Sequence, residues 1–232
     1  MAKKFIHHTV LPLIRKIRAQ VVKKVKSKED YSLMPISDKF GYDRGTPIDR
    51  YYIEKFIAQH KNKIHGRCLE VHDDAYIKRF GQDRVTQADV VDIDTNNKLA
   101  TIFTDLSKAH VIADNTYDTL IITQTIGLIP EHEKAVGHLY RILKPGGTLL
   151  LTASAMGPYM TNGNGYWRYS VKSFHYLLEK FFSKENVSVE AYGNALTGQG
   201  FWVGLAVEEF TQKQMDFKDE RFPIIITAIA SK

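Results

Sequence analysis

One segment constrains the fold of this chain more than any other: YDTLIITQTIGLIPEHEKAVGHLYRILKPGGTLLLTAS, residues 117–154. It reads as strand, polar turn, helix, tight turn, strand. Residues 119–122 form a short β-branched apolar run, as expected of a strand buried on both faces. Thr123, Gln124 and Thr125 end that run, where a parallel sheet opens its ligand crevice. Residues 132–143 carry Ala135, Val136, Leu139, Ile142 and Leu143 at helical spacing. Lys144-Pro145-Gly146-Gly147 then stops the helix, because Pro presets φ and the next Gly supplies φ > 0 for a tight turn. Residues 148–152 are the next buried strand.

The same alternation runs along the chain. Periodicity predicts helices over 48–60, 75–80 and 171–182, and an inserted helix over 201–210. It predicts strands over 68–71, 89–93, 100–103, 187–191 and 223–230, with a glycine-rich loop at 156–165. Strands alternating with helices argue for an α/β fold, a parallel sheet with helices on both faces.

At 232 residues the chain can bury a full core. No apolar run approaches the ~18 residues that suggest a membrane span. Its one cysteine, Cys68, excludes an internal disulfide, so the expected compartment is the reducing cytoplasm. No Cys/His cluster has zinc-site spacing, and no metal is expected.

The net charge of +6 is unevenly spread. Residues 1–28 hold nine Lys or Arg and no acid, while residues 29–232 hold 23 basic and 26 acidic side chains. Ile6, Val10, Leu13, Ile14, Ile17, Val21 and Val25 form a stripe at helical spacing within that leader. Three readings stay open for it: a helix packing on the domain or a partner, peripheral attachment to an anionic membrane, or a transit peptide. The expected organisation is a basic amphipathic helix (1–28), a linker or lid with a helix (29–60), and the α/β domain (61–232).

The first predicted strand-to-helix turn reads Leu69-Glu70-Val71-His72-Asp73-Asp74-Ala75. A dinucleotide fold would place G-x-G-x-x-G here so that backbone N–H groups approach a pyrophosphate. Adjacent aspartates repel phosphate, which argues against NAD or FAD. Asp92 and Asp94 end the second strand, where an acid accepts hydrogen bonds from ribose hydroxyls; Asp94 lies nearer the following loop and is favoured. Lid candidates are Tyr42, Arg44, Asp49, Arg50, Tyr51 and Tyr52 on one side and Tyr166, Trp167 and Arg168 on the other. His132 and His175 are candidate bases, although a lone helical histidine is more often structural.

The L-K-P-G-G turn, with GTPIDRYYIEKF (45–56), GRCLEVHDDAYIKRFG (66–81), ATIFTDL (100–106), YWRYS (166–170) and ENVSVEAYGN (185–194), resembles the class I S-adenosylmethionine (SAM)-dependent methyltransferases. The likeness is to the type 11 group and a bacterial subgroup that accompanies glycan synthesis. It implies a Rossmann-like seven-stranded sheet of order 3-2-1-4-5-7-6, strand seven antiparallel, with SAM as cofactor. Carried onto this chain, the cofactor set is Glu70, His72, Asp73, Asp92, Asp94, Asp105, Leu106, Thr123, Gln124, Tyr51 and Arg50. Asp105 and the Leu106 backbone would read the adenine. The superfamily's E-x-G-x-G-x-G turn is matched only at Glu70; a sulfonium and an ammonium suit the acids found instead. Gln124, His132, Arg168 and Tyr166 are the catalytic candidates. Gln124-Thr125-Ile126-Gly127 stands where base-directed amino methyltransferases carry Asn/Asp-Pro-Pro-Tyr, and no cysteine follows that strand, so a nucleic acid acceptor is not expected. The resemblance implies O-methylation of a sugar, glycan precursor or similar small molecule. The rivals are a binding protein that has lost catalysis and a nucleic-acid methyltransferase.

Overall fold

Strand β4 (Tyr117–Thr123) shows how the sequence builds the sheet. Its side chains alternate between faces, so Leu120 and Ile122 enter one apolar cluster while Ile121 enters the other. Strand β5 (Leu143–Ser154) does the same, with Leu149 and Leu151 on one side and Leu150 on the other. Both runs are apolar throughout because both faces of the sheet are covered. Each fully buried Leu or Ile contributes roughly 1.5–3 kcal/mol.

A computed structural model describes residues 33–158 and 165–232. The basic leader expected over residues 1–28, and residues 159–164 of the glycine-rich loop, lie outside the described residues. Five further strands complete the sheet: β1 (Gly66–Val71), β2 (Val85–Asp92), β3 (Ile102–Phe103), β6 (Val187–Tyr192) and β7 (Ile225–Ser231). The order is β3-β2-β1-β4-β5-β7-β6, as expected. β7 runs antiparallel between β5 and β6; the other pairings are parallel. The switch point of the order lies between β1 and β4.

Two helices, α2 (His132–Ile142) and α3 (Val171–Leu178), cover one face through Val136, Leu139, Phe174 and Leu178. The other face is covered by α1 (Ile48–Gln59) and α4 (Ala195–Val203), with α5 (Gln212–Asp216) beside them. Ile48, Tyr52, Ile53, Phe56 and Ile57 of α1 are all buried.

The element edges differ from the sequence expectation for identifiable reasons. The helix expected over 201–210 is instead Ala195–Val203. Asn194 starts it: its Oδ1 accepts the N–H groups of Leu196 and Thr197, both at 3.0 Å. That cap outweighs the low helix propensity of Gly198 and Gly200 within it. β2 begins at Val85, ahead of the apolar run, because Gly66 of β1 pairs with it. In the L-K-P-G-G turn, Tyr117 pairs with Leu143 and Thr119 with Thr148, so residues 144–147 bulge opposite Asp118 alone. Gly146 takes φ +79° there, and Lys144 Nζ donates to Asp118 Oδ2 at 2.7 Å.

Candidate active site

The carboxyl ends of β1, β2, β4 and β5 face a common rim, and part of the candidate set lies there. Glu70, at the end of β1, is 2% exposed. Its two oxygens accept the N–H groups of Tyr76 (3.2 Å) and Ile77 (2.8 Å), which fixes the turn into the helical segment Ile77–Gly81. Burial pushes its carboxyl pKa up to about 8 against the pull of those hydrogen bonds. Glu70 therefore shapes the turn from beneath. His72 follows with φ +74°, the left-handed conformation that glycine adopts freely. The backbone of a glycine turn is thus formed by a non-glycine residue, anchored where Asn97 Nδ2 donates to the His72 carbonyl at 2.6 Å.

Asp92 ends β2 with its side chain 11% exposed. Asn97 Nδ2 donates to its Oδ2 at 2.7 Å, Asp94 N–H to its Oδ1 at 2.9 Å, and His72 Nδ1 lies 3.1 Å from Oδ2. Burial works to raise its pKa, but these contacts outweigh it and hold the carboxyl below its ordinary value. Asp94 is exposed and closes its own turn by accepting the Asn96 N–H at 2.9 Å. Between them Ile93 is 72% exposed at the rim, an apolar side chain the sequence reading passed over. Asp73 accepts the Ala75 N–H, and Asp74 pairs with Lys78. Asp105 caps the single turn Leu106–Lys108 by accepting both the N–H and the hydroxyl of Ser107 at 2.8 Å; Leu106 is buried.

Past β4, Thr123 leads into Gln124, which has φ +53°. Gln124 N–H donates to the Thr152 carbonyl at 2.9 Å, so β5 holds the turn. Its side chain bridges two elements: Nε2 donates to Asp49 Oδ2 of α1, and Ser154 Oγ of β5 donates to its Oε1, both at 3.4 Å. Gly127 then packs against the backbone of Trp167, where an added Cβ would stand 2.9 Å from the carbonyl oxygen. Its carbonyl accepts the N–H groups of Tyr166 and Trp167, both at 3.0 Å.

Above this turn lies a pocket of about 250 Å³, lined by Asp49, Gln124, Ser154 and Arg168 among aromatic and apolar groups including Phe40, Trp167 and Phe201. The aromatic lid comes from two distant stretches. Arg44 Nε donates to Glu209 Oε2 at 3.0 Å, Thr46 N–H to Glu208 Oε2 at 2.9 Å, and Pro47 bridges Ala206. Phe40 and Phe201 then meet with ring centroids 6.4 Å apart.

The other candidates take different places. Arg50 donates to the Tyr76 hydroxyl at 2.8 Å and to Tyr42 at 3.3 Å, above the β1 turn. Tyr51 turns to α5, where its hydroxyl donates to Asp216 Oδ1 at 2.7 Å. Tyr52 is buried against Thr197 and the Met215 carbonyl. His132 stacks on Trp167 at 4.2 Å, and its Nδ1 lies 2.7 Å from the Tyr169 hydroxyl; burial lowers its pKa. His175 faces Glu179 on the surface of α3. Tyr166 is exposed. Of the catalytic candidates, Gln124 and Arg168 line the pocket; the lid and cofactor candidates Arg50 and Tyr51 do not. Phe40, Met156 and Phe201 were missed because only the fold brings them to the rim. Among the described residues, no group of His, Cys, Asp and Glu is arranged to hold a metal ion. No helix among them is long and apolar enough to cross a membrane.

Residues 62–151 match the family model described as a methyltransferase domain. The chain has the fold of SAM-dependent methyltransferases. A SAM-dependent methyltransferase from Archaeoglobus fulgidus is 13% identical, with TM-score 0.53 over 79% of this chain and 94% of that one. Phosphoethanolamine N-methyltransferase 2 of Haemonchus contortus, solved with SAM, is 16% identical, with TM-score 0.51 over 77% of this chain and 52% of that one. The [4+2]-cyclase SpnF is 15% identical, with TM-score 0.53 over 87% of each chain. No curated protein sequence matches.

Proposed function

We propose that this protein transfers the methyl group of SAM to a hydroxyl of a small acceptor, a sugar or glycan precursor, held in the pocket between Gln124 and the aromatic lid. The observation that carries the reading is the acid-rich crevice at the β1/β4 switch point, continuous with a methyltransferase domain. A doubly wound sheet binds its ligand at that point. Asp73 and Asp74 follow β1, Asp92 and Asp94 end β2, Asp105 follows β3, and the β1 turn has no glycine-rich phosphate cradle. That charge suits a ligand bearing a sulfonium and an ammonium and disfavours a dinucleotide.

SAM, when bound, supplies an electrophilic methyl group. The chain's own residues bind and orient. Asp92 is the acid for the ribose hydroxyls: the sequence favours Asp94 by proximity to the loop, but Asp92 is the one preorganised by Asn97 and His72. Ile93 offers the adenine an apolar platform, and Asp105 takes its amino group. Arg50, above the β1 turn, faces the carboxylate of the amino acid moiety. Trp167 and Phe40 suit stacking on a sugar face and exclude water. The lone cysteine supports work in the reducing cytoplasm, with residues 1–28 as a peripheral docking element.

The SpnF likeness favours a second reading, a SAM-binding domain turned to other chemistry. Calorimetry on the full chain tests the first step. S-adenosylhomocysteine binds and NAD does not, and Asp92→Ala weakens binding by about 1–3 kcal/mol, the usual cost of losing hydrogen bonds to a charged group. A loss confined to Asp94→Ala moves the ribose role there. NAD binding without S-adenosylhomocysteine binding overturns the reading. Methyl transfer from labelled SAM to a panel of sugars separates the enzyme from the second reading.

A further inference from the structure

We propose that Asp49, in the first turn of α1, is the general base that takes the acceptor's hydroxyl proton. The inference rests on the SAM-dependent reading above. Among the described residues lining the pocket, Asp49 is the one carboxylate. The other catalytic candidates lack the position or the chemistry. Gln124 has no basic site, and Arg168 is a permanent cation. His132 and Tyr166 do not line the pocket, and His132 Nδ1 is already beside Tyr169.

The geometry gives Asp49 a defined orientation. Its Oδ1 accepts the Arg50 N–H at 2.8 Å. Its Oδ2 lies 3.4 Å from Gln124 Nε2, at the end of β4, where the crevice passes into the pocket. Ser154 donates to the other end of the same amide, so the Gln124 nitrogen, and not its oxygen, faces Asp49. One weak hydrogen bond leaves Oδ2 with lone-pair capacity for an acceptor hydroxyl. Burial raises the Asp49 pKa, while the Arg50 charge and the Gln124 hydrogen bond pull it back. A carboxylate more basic than an exposed aspartate suits proton transfer near neutral pH.

The step balances. The acceptor oxygen forms the new C–O bond, the C–S bond breaks with its electron pair staying on sulfur, and the hydroxyl proton passes to Asp49. The proton later leaves to water.

The test needs no known acceptor. Sinefungin carries an amine where SAM has its reactive methyl, whereas S-adenosylhomocysteine carries nothing there. A carboxylate facing that point pairs with the amine. The wild-type full chain should bind sinefungin about tenfold more tightly than S-adenosylhomocysteine, the gain of a charge-assisted hydrogen bond. Asp49→Asn should bring that ratio to about one while S-adenosylhomocysteine affinity stays within about threefold, because Asn keeps the Oδ1 acceptor. Asp49→Glu should preserve the preference and serves as the second variant if the Asn protein melts early. A preference unchanged in Asp49→Asn overturns the placement of Asp49 and leaves the SAM reading standing. Failure of wild type to bind either ligand overturns the SAM reading, and the base with it.

Discussion

His72 shows how a non-glycine residue can hold the left-handed backbone of a turn, and Glu70 how a buried acid can support it. His72 holds a positive φ at a cost glycine would not incur, and Asp92 and Asn97 repay it with contacts. Glu70 carries a different cost. Its folded pKa of about 8 lies above the ordinary carboxyl value, so the folded state holds its proton where the unfolded state has lost it. Stability from this group is full below the unfolded pKa and falls as pH rises through the window from about 4.5 to 8. The slope is at most about 1.4 kcal/mol per pH unit for one proton. Glu70→Gln, which cannot ionise, should flatten the fall measured by denaturant unfolding between pH 5 and 8. Parallel profiles for wild type and variant would show that Glu70 keeps an ordinary pKa.

The pocket's roof depends on a clasp between two segments far apart in sequence. Residues 36–47 are held on the β6–β7 connection by Glu208 and Glu209, with Ile36 N–H donating to the Val203 carbonyl at 2.8 Å. Both acids are exposed to solvent screening, so their loss should change global stability little. The local effect should be larger. Glu208→Ala should raise hydrogen exchange at residues 40–47 severalfold, as local opening of a low-stability segment does, with no matching change in β4. Acid acts in the same direction. The Thr46 hydrogen bonds hold Glu208 below its ordinary pKa, so the clasp is intact above about pH 4.5 and weakens as pH falls through the folded value. Exchange at residues 40–47 that matches wild type in Glu208→Ala would remove the clasp from the lid.

Across the whole molecule, the described core draws its two clusters from residues 48–230. The nine cations of residues 1–28 stand beside a remainder with three more acids than bases. We expect a chain starting at residue 29 to melt cooperatively and bind S-adenosylhomocysteine with unchanged affinity, while losing sedimentation with anionic vesicles. Each Lys or Arg near such a surface contributes about 1 kcal/mol, so several together give measurable attachment. Unfolding of the shortened chain, or lost ligand affinity, would make the leader part of the core.

Local physics made much of the fold legible in the sequence. Leu120, Ile121 and Ile122 form an apolar run too short for a helix, and buried runs of that kind specify central parallel strands. The Pro145-Gly146 pair marks a turn through fixed and positive φ. The acids at the ends of β1 and β2 argued against a phosphate cradle on charge alone. The strand order came from resemblance, since alternation gives parallel strands without saying which are neighbours. Non-local contact decided the rest. The early start of β2 depends on its pairing with Gly66, and the true span of α4 on the Asn194 cap. Tyr51 looked equivalent to Asp49 in sequence, but helical rotation turns them to different neighbours, one to α5 and the other to Gln124. Phe40 and Phe201 carry no signal of a shared roof, because their meeting depends on a clasp between segments some 160 residues apart. Period and turn chemistry are local, so the apolar runs of β4 and β5 and the acids at the ends of β1 and β2 could be read from the sequence. Which polar groups meet beside Gln124 depends on how distant elements pack, and no local pattern encodes it.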